Sequence, residues 1–169
     1  MGKVKRDISV LIVDDSKSAR TVLTSILSMD DEIHVAGQAV NGLDAITKIQ
    51  ELSPDIVTMD IEMPIMNGID AIEEIMSITP VPIVVMTSLD NVDTAYMAIS
   101  KGALDVFHKT GFDEEKAKSF IQKIKLLSRY RLDWNNNAHT KPNAALPEAR
   151  RPGTTPAFFL KKTTSRSSS

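Results

Sequence analysis

Between residues 8 and 127, five short apolar, β-branched runs alternate with stretches whose apolar residues recur every three or four positions. Runs of this length suit strands buried on both faces, and the three-four spacing suits amphipathic helices. Strands that alternate with helices through short connections predict a parallel sheet covered on both sides, and right-handed crossovers leave few topologies. The expected fold is α/β: a flavodoxin-like (βα)5 three-layer sandwich with strand order 2-1-3-4-5.

The runs are Ile8 to Val13, Ile33 to Val40 with Gly37 in its interior, Ile56 to Met59, Ile83 to Met86, and a short one at Val106 and Phe107. Ser16 can cap a first helix carrying Ala19, Val22, Leu23, Ile26 and Leu27. A second helix spans Leu43 to Leu52 and stops at Ser53-Pro54; a third carries Ile69, Ile72, Ile75 and Met76 and ends before Pro80. The fourth spans Asp93 to Lys101 with Gly102 as its C-terminal cap. The fifth carries Ala117, Phe120, Ile121, Ile124 and Leu127 and is predicted to run to about Trp134. Asn67-Gly68 reads as a turn pair suited to positive φ.

Charge divides the chain in two. Residues 1–134 hold 14 Lys and Arg against 21 Asp and Glu, a net of −7, whereas residues 135–169 hold 6 against 1, a net of +5. The first part is therefore the expected domain. The second, with scattered Pro, Ser, Thr and Asn and no period apart from Phe158-Phe159-Leu160, is expected to be a basic, disordered tail or truncated linker. Its few cations, without interleaved aromatics or a helix-turn-helix, do not point to nucleic-acid recognition. Cysteine is absent, which fits a reducing compartment. No apolar run approaches the roughly 18 residues of a membrane span, and no signal peptide is read at the N-terminus, so the expectation is a cytoplasmic protein without a membrane partner.

In the predicted order, the C-terminal ends of strands one, three, four and five lie along one edge, where open parallel sheets gather reactive groups. Asp14, Asp15, Asp60, Thr87 and Lys109 would converge there. Each has a plain structural reading by itself: Asp15 as a helix-start carboxylate, Asp60 as a loop cap, Thr87 as a strand residue, Lys109 as a surface charge. Their joint occurrence at four strand ends favours chemistry. Three crowded carboxylates call for a cation, and oxygen donors without Cys or His select a hard divalent ion, with Mg2+ the expected one. Thr87 offers a hydroxyl and Lys109 a point charge suited to phosphate, so the set matches phosphoryl transfer onto Asp60.

With Asp14-Asp15, Asp60 in MDIEMPIMNG, Thr87 after VVM and Lys109 after GALDVFH, the chain from about Ile8 to Leu127 resembles the receiver domain of two-component response regulators. The wording DIEMPIMNG, VPIVVMTSL and KGALDVFHK is most similar to the receiver of the chemotaxis protein-glutamate methylesterase. The resemblance implies a histidine kinase as phosphodonor and a phosphoacceptor Asp60. It also implies Mg2+ held by Asp15, Asp60 and the backbone carbonyl of Glu62, with Asp14 acting through water. Thr87 and Lys109 would then switch the face of the fourth helix, fifth strand and fifth helix, where an output protein binds. Two positions depart from the family. Thr110 follows the lysine where receivers carry proline, and Val106 stands where they carry an aromatic switch residue, with Phe107 one place later and expected on the opposite side of the strand.

A methylesterase needs a further domain with a serine nucleophile, a histidine base and an orienting aspartate. The histidines here are His34, His108 and His139, and no Gly-x-Ser-x-Gly occurs, so no esterase activity is expected of this sequence. Two alternatives stand beside the signalling reading. One is a constitutive interaction module that no longer switches. The other is a Mg2+-dependent aspartyl-phosphate phosphohydrolase, in which Glu62 would stand where such enzymes carry a second aspartate.

Overall fold

The computed structural model describes Gly2, residues 4–88 and residues 91–130. In chain order the elements are β1 (Ile8–Val13), α1 (Lys17–Leu27), β2 (Ile33–Ala39), α2 (Gly42–Leu52), β3 (Ile56–Asp60), α3 (Gly68–Ile78), β4 (Ile83–Thr87), α4 (Val92–Lys101), β5 (Asp105–His108) and α5 (Glu114–Leu127). The strands form one sheet in the order β2-β1-β3-β4-β5, and every neighbouring pair is parallel. This is the expected flavodoxin-like sandwich.

Alternation along each strand divides the core into two layers. Leu11, Val13, Val57, Met59, Ile83 and Val85 face a cluster built with α2, α3 and α4 residues such as Ile49, Ile72, Ile75 and Ala98. Val10, Ile12, Ile56, Val84 and Met86 face the opposite way, onto Leu23, Ile26 and Leu27 of α1 and Phe120, Ile121 and Ile124 of α5. Both strand faces are apolar because both are covered, which is why the runs read as continuous rather than alternating. At fully buried leucine or isoleucine positions this burial stabilises by roughly 1.5–3 kcal/mol per side chain.

The helices begin on side-chain caps. Ser16, Asn41, Asn67, Asn91 and Asp113 each accept a backbone N–H one turn into α1 to α5 respectively. Ser53 closes α2 at φ 46°, and Gly102 closes α4 at φ 123°, the cap position read from the sequence. In β2, Val10 pairs with Val35 but Leu11 with Gly37, a one-residue register shift. Gly37 admits Leu52 at that point, since a Cβ there would lie 2.7 Å from the leucine Cδ1.

Several expectations are corrected. β2 ends at Ala39, not Val40, because the Val40 N–H turns to the Asp44 carboxylate at 3.0 Å. α5 spans Glu114–Leu127 with Ser128 as its cap, and Arg129 and Tyr130 are again helical; the expected end at Trp134 and the basic tail lie outside the described residues. Asn67-Gly68 is not a positive-φ turn. Asn67 is the cap of α3 at φ −73° and Gly68 its first residue, while the positive φ in this loop falls on Ile65, at 70°.

Candidate functional site

Asp14 follows the last residue of β1, β3 and β4 end in Asp60 and Thr87, and the loop after β5 starts at Lys109. Sheet register brings these ends together, with Asp60 opposite Met86 and Thr87 opposite His108. β3 and β4 each run one residue beyond the expected end, so Asp60 and Thr87 themselves belong to the ladder and are held by it. Asp14, Asp60 and Thr87 are buried, whereas Asp15 and Glu62 are exposed.

The Lys109 ammonium bridges the two buried carboxylates. Its Nζ donates to Asp14 Oδ2 at 3.0 Å and lies 3.2 Å from Asp60 Oδ1, joining groups 95 residues apart in sequence. One carboxylate oxygen from each of Asp14, Asp15 and Asp60 lies within 4.8 Å of the others. All the sequence-predicted carboxylates and the lysine thus meet at one point. Glu62 stands two residues beyond Asp60 at the mouth of the β3–α3 loop.

The electrostatics are unbalanced. Burial, and then the negative charge of Asp14, push the Asp60 carboxyl up to about 6, against the opposing pull of Lys109 and the Ile61 N–H. Burial would lower the Lys109 ammonium, but its hydrogen bond to Asp14 and the Asp60 charge outweigh burial and raise it. One lysine therefore does not compensate the acidic cluster. A hard cation with oxygen ligands fits this donor set.

Two contacts of Asp14 passed unread in the sequence, although Ser16 itself reads there as a helix cap. Ser16 donates its N–H to Asp14 Oδ1 at 2.9 Å, and the Arg20 guanidinium donates to the Asp14 carbonyl at 2.8 Å while its Nε reaches Gln38 at 3.0 Å. Their signal was one of position: both stand in the turn that follows the acidic pair. Gly68 also matters. A Cβ there would lie 2.1 Å from the Asp60 carbonyl oxygen, so only glycine lets the start of α3 approach β3 this closely. Its N–H donates to the Ile61 carbonyl at 2.8 Å and sets the loop's closure.

The two candidate switch residues do not share a face. Val106 packs against the α2–α4 layer, and Phe107 lies on the α1–α5 side, as strand alternation predicts. There Phe107 meets Phe112 and Phe120, with ring centroids 5.8 and 4.9 Å away. The turn after Lys109 keeps the lysine on its partners although Thr110 takes the place of proline.

The response regulator receiver domain profile matches residues 10–122. The chain belongs to the response regulator receiver family. This receiver is 39% identical over 142 residues to a protein-glutamate methylesterase/protein-glutamine glutaminase of Methanospirillum hungatei, covering 79% of the chain and 41% of the relative. A counterpart from Paramagnetospirillum magneticum is also 39% identical, over 123 residues, covering 72% of the chain and 35% of the relative. The chain thus spans about two-fifths of the length of these curated relatives, and the match falls on their receiver portion. Among solved structures, the response regulator domain of Thermotoga maritima CheB superposes with a TM-score of 0.67 at 34% identity, covering 73% of this receiver and 98% of that domain. A chain of the CheX–CheY–BeF3–Mg2+ complex from Borrelia burgdorferi gives 0.63 at 28% identity, covering 70% and 88%.

Proposed function

We propose that this receiver is a phosphorylation-controlled module of a chemotaxis-type two-component pathway, in which Asp60 takes a phosphoryl group from a histidine kinase. The observation that carries the reading is the Lys109 ammonium set between Asp14 and Asp60 above a three-carboxylate cluster. Such a set suits a phosphoryl group, whose negative oxygens the lysine and a cation would share. Asp14, Asp15, Asp60 and the Glu62 carbonyl would hold Mg2+, which supplies positive charge for the oxygens of the transferred group.

In the transfer, an Asp60 carboxylate oxygen attacks phosphorus as the bond from phosphorus to the donor's imidazole nitrogen breaks. The imidazole departs with that bond's electron pair and takes up a proton from solvent. Lys109 donates to the incoming phosphoryl oxygens, and the Thr87 hydroxyl, at the end of the adjacent strand, is the second donor. The response then passes to the face of α4, β5 and α5, where Val92, Tyr96 and Met97 are exposed. An output protein binding there needs only a few kcal/mol of differential contact to follow the switch.

Residues 1–134 form the receiver in this reading and 135–169 a basic tail. Among the described residues no helix is long and apolar enough to cross a membrane, and a cytoplasmic location goes with the kinase partner. A non-switching module is the second reading, favoured by the fixing of Phe107 in an aromatic cluster on the α1–α5 side.

Intact-mass spectrometry after incubation with acetyl phosphate tests the proposal, with and without Mg2+, on the parent and on Asp60→Asn. One Mg2+-dependent phosphoryl addition, lost in the variant, is expected. Persistence of the addition in Asp60→Asn would reject Asp60 as acceptor, and absence of any addition to the parent would favour the non-switching module.

A further inference from the structure

The segment Lys109-Thr110-Gly111-Phe112 carries the lysine of the site, yet its middle is not packed. Thr110 and Gly111 are exposed, and Gly111 has φ 68° with nothing within 4 Å of where a Cβ would stand. The segment's packing lies at its two ends, and among the described residues its middle is tied only through the Thr110 carbonyl. At the near end, the Lys109 N–H donates to the Thr87 carbonyl at 3.0 Å.

At the far end the anchor is aromatic. The Phe112 ring stacks on Phe107 at a centroid distance of 5.8 Å and an interplanar angle of 20°, and meets Phe120 edge-on at 5.8 Å and 69°. Phe120 is fully buried in α5 and Phe107 lies in β5, so the ring is pinned between two rigid elements. The Lys116 ammonium sits 5.2 Å from the Phe112 centroid and 5.6 Å from that of Phe107, and it donates to the Thr110 carbonyl. One cation therefore ties the aromatic cluster to the exposed turn. Phe112 also lines a cavity of about 260 Å³ together with Lys109, Ser16, Ala19 and Leu23. Removing the ring would open that space beside the lysine and release both the turn and the ammonium.

We propose that Phe112 is a positioning residue for Lys109, acting from the far end of a turn whose middle has no packing of its own. The proposal rests on the phosphoacceptor reading for its catalytic consequence, though not for the geometry. Misplacing a charge-compensating group by about 1 Å lowers a rate by up to about a hundredfold, so truncation of the ring slows the transfer to Asp60 instead of merely loosening the fold.

The test is a double-mutant cycle. Initial rates of phosphoryl addition from acetyl phosphate at saturating Mg2+ are compared for the parent, Phe112→Ala, Lys109→Met and the double variant, all well below their unfolding midpoints. Phe112→Ala is expected to slow the parent by about ten- to a hundredfold, Phe112→Tyr to restore most of the rate, and Phe112→Ala to add nothing in the Lys109→Met background. Equal slowing in both backgrounds, or none in the parent, would overturn the proposal. A second measurement does not depend on phosphorylation: hydrogen exchange of the Lys109 ammonium protons by NMR, which the ion pairs with Asp14 and Asp60 are expected to slow in the parent. Fast exchange in Phe112→Ala but not in Phe112→Tyr supports positioning, and unchanged exchange in both refutes it. A parent that takes no phosphoryl group but shows the exchange effect would sink the phosphoacceptor reading alone.

Discussion

Replacing Gly68 by alanine sets two physical effects against each other. Gly68 is the first residue of α3, and alanine there is favoured by about 1 kcal/mol on helix propensity. The new Cβ, however, would stand 2.1 Å from the Asp60 carbonyl oxygen and 2.9 Å from the Ile61 Cα. Non-bonded heavy atoms rest at roughly 3.5 Å, so the start of α3 and the end of β3 must separate by about 1 Å. Overpacking of this kind costs about 1–3 kcal/mol, and loss of the 2.8 Å bond from the buried Gly68 N–H to the Ile61 carbonyl adds roughly 1–3 kcal/mol. A net destabilisation of about 1–5 kcal/mol follows once propensity is credited. With a urea slope of roughly 1–3 kcal/mol per molar, the midpoint falls by about 1.5 M at the middle of both ranges. The control is Gly111→Ala, whose φ of 68° disfavours alanine but whose Cβ would meet nothing within 4 Å; it should lose only about 1–2 kcal/mol. A Gly68→Ala protein as stable as the parent, or less affected than Gly111→Ala, would refute the reasoning.

Ile65 is β-branched, has φ 70° and is 79% exposed, so Ile65→Asn should raise stability by about 1 kcal/mol and the thermal midpoint by a few degrees; a lowered midpoint would mean that the isoleucine makes contacts that hold it. Thr58 is fully buried in β3 with no hydrogen-bond partner for its hydroxyl among the described residues, and Thr58→Val is expected to stabilise by about 1–2 kcal/mol in chemical denaturation, whereas a loss would point to a partner inside the layer. Lys125 bridges Asp30 at 3.1 Å and Glu32 at 2.7 Å; burial pushes the Asp30 carboxyl up, but the Glu32 N–H and Lys125 outweigh it and hold the group below its ordinary 3.8. A depressed carboxyl contributes stability above its unfolded value and loses it as pH falls through the folded one, so Lys125→Met should cost less than about 1 kcal/mol near neutrality and make the acid limb below pH 4 shallower. An unchanged acid limb would count against the pair.

Layer order and strand ends were legible in the sequence because both faces of the sheet are buried, which leaves β-branched runs that stop at polar residues. Asp14, Asp60, Thr87 and Lys109 were legible for the same reason: the first three follow directly on such a run, and Lys109 follows one after a single residue, His108. The β3–α3 loop was not. Propensity assigns positive φ to Asn67-Gly68, but tertiary contact there requires a missing Cβ at Gly68 and a cap at Asn67, and the left-handed residue is displaced onto Ile65. The aromatic cluster was also hidden, since Phe107, Phe112 and Phe120 belong to a strand, a turn and a helix with no common period. Arg20 reaches a backbone carbonyl six residues earlier, and no side-chain pattern announces such a contact.

The caps of α2 and α3 are both asparagines followed by glycine, the dipeptide most prone to spontaneous deamidation through a cyclic imide. Ring closure requires the glycine nitrogen to attack the asparagine side-chain carbon. Here each glycine N–H is committed to a carbonyl, Met66 for Gly42 and Ile61 for Gly68, and each side-chain oxygen is committed to the helix it caps. The folded chain thus shields its own weakest covalent points, and the pace of isoaspartate formation at residues 41 and 67 becomes a clock for how often those two helix starts come open.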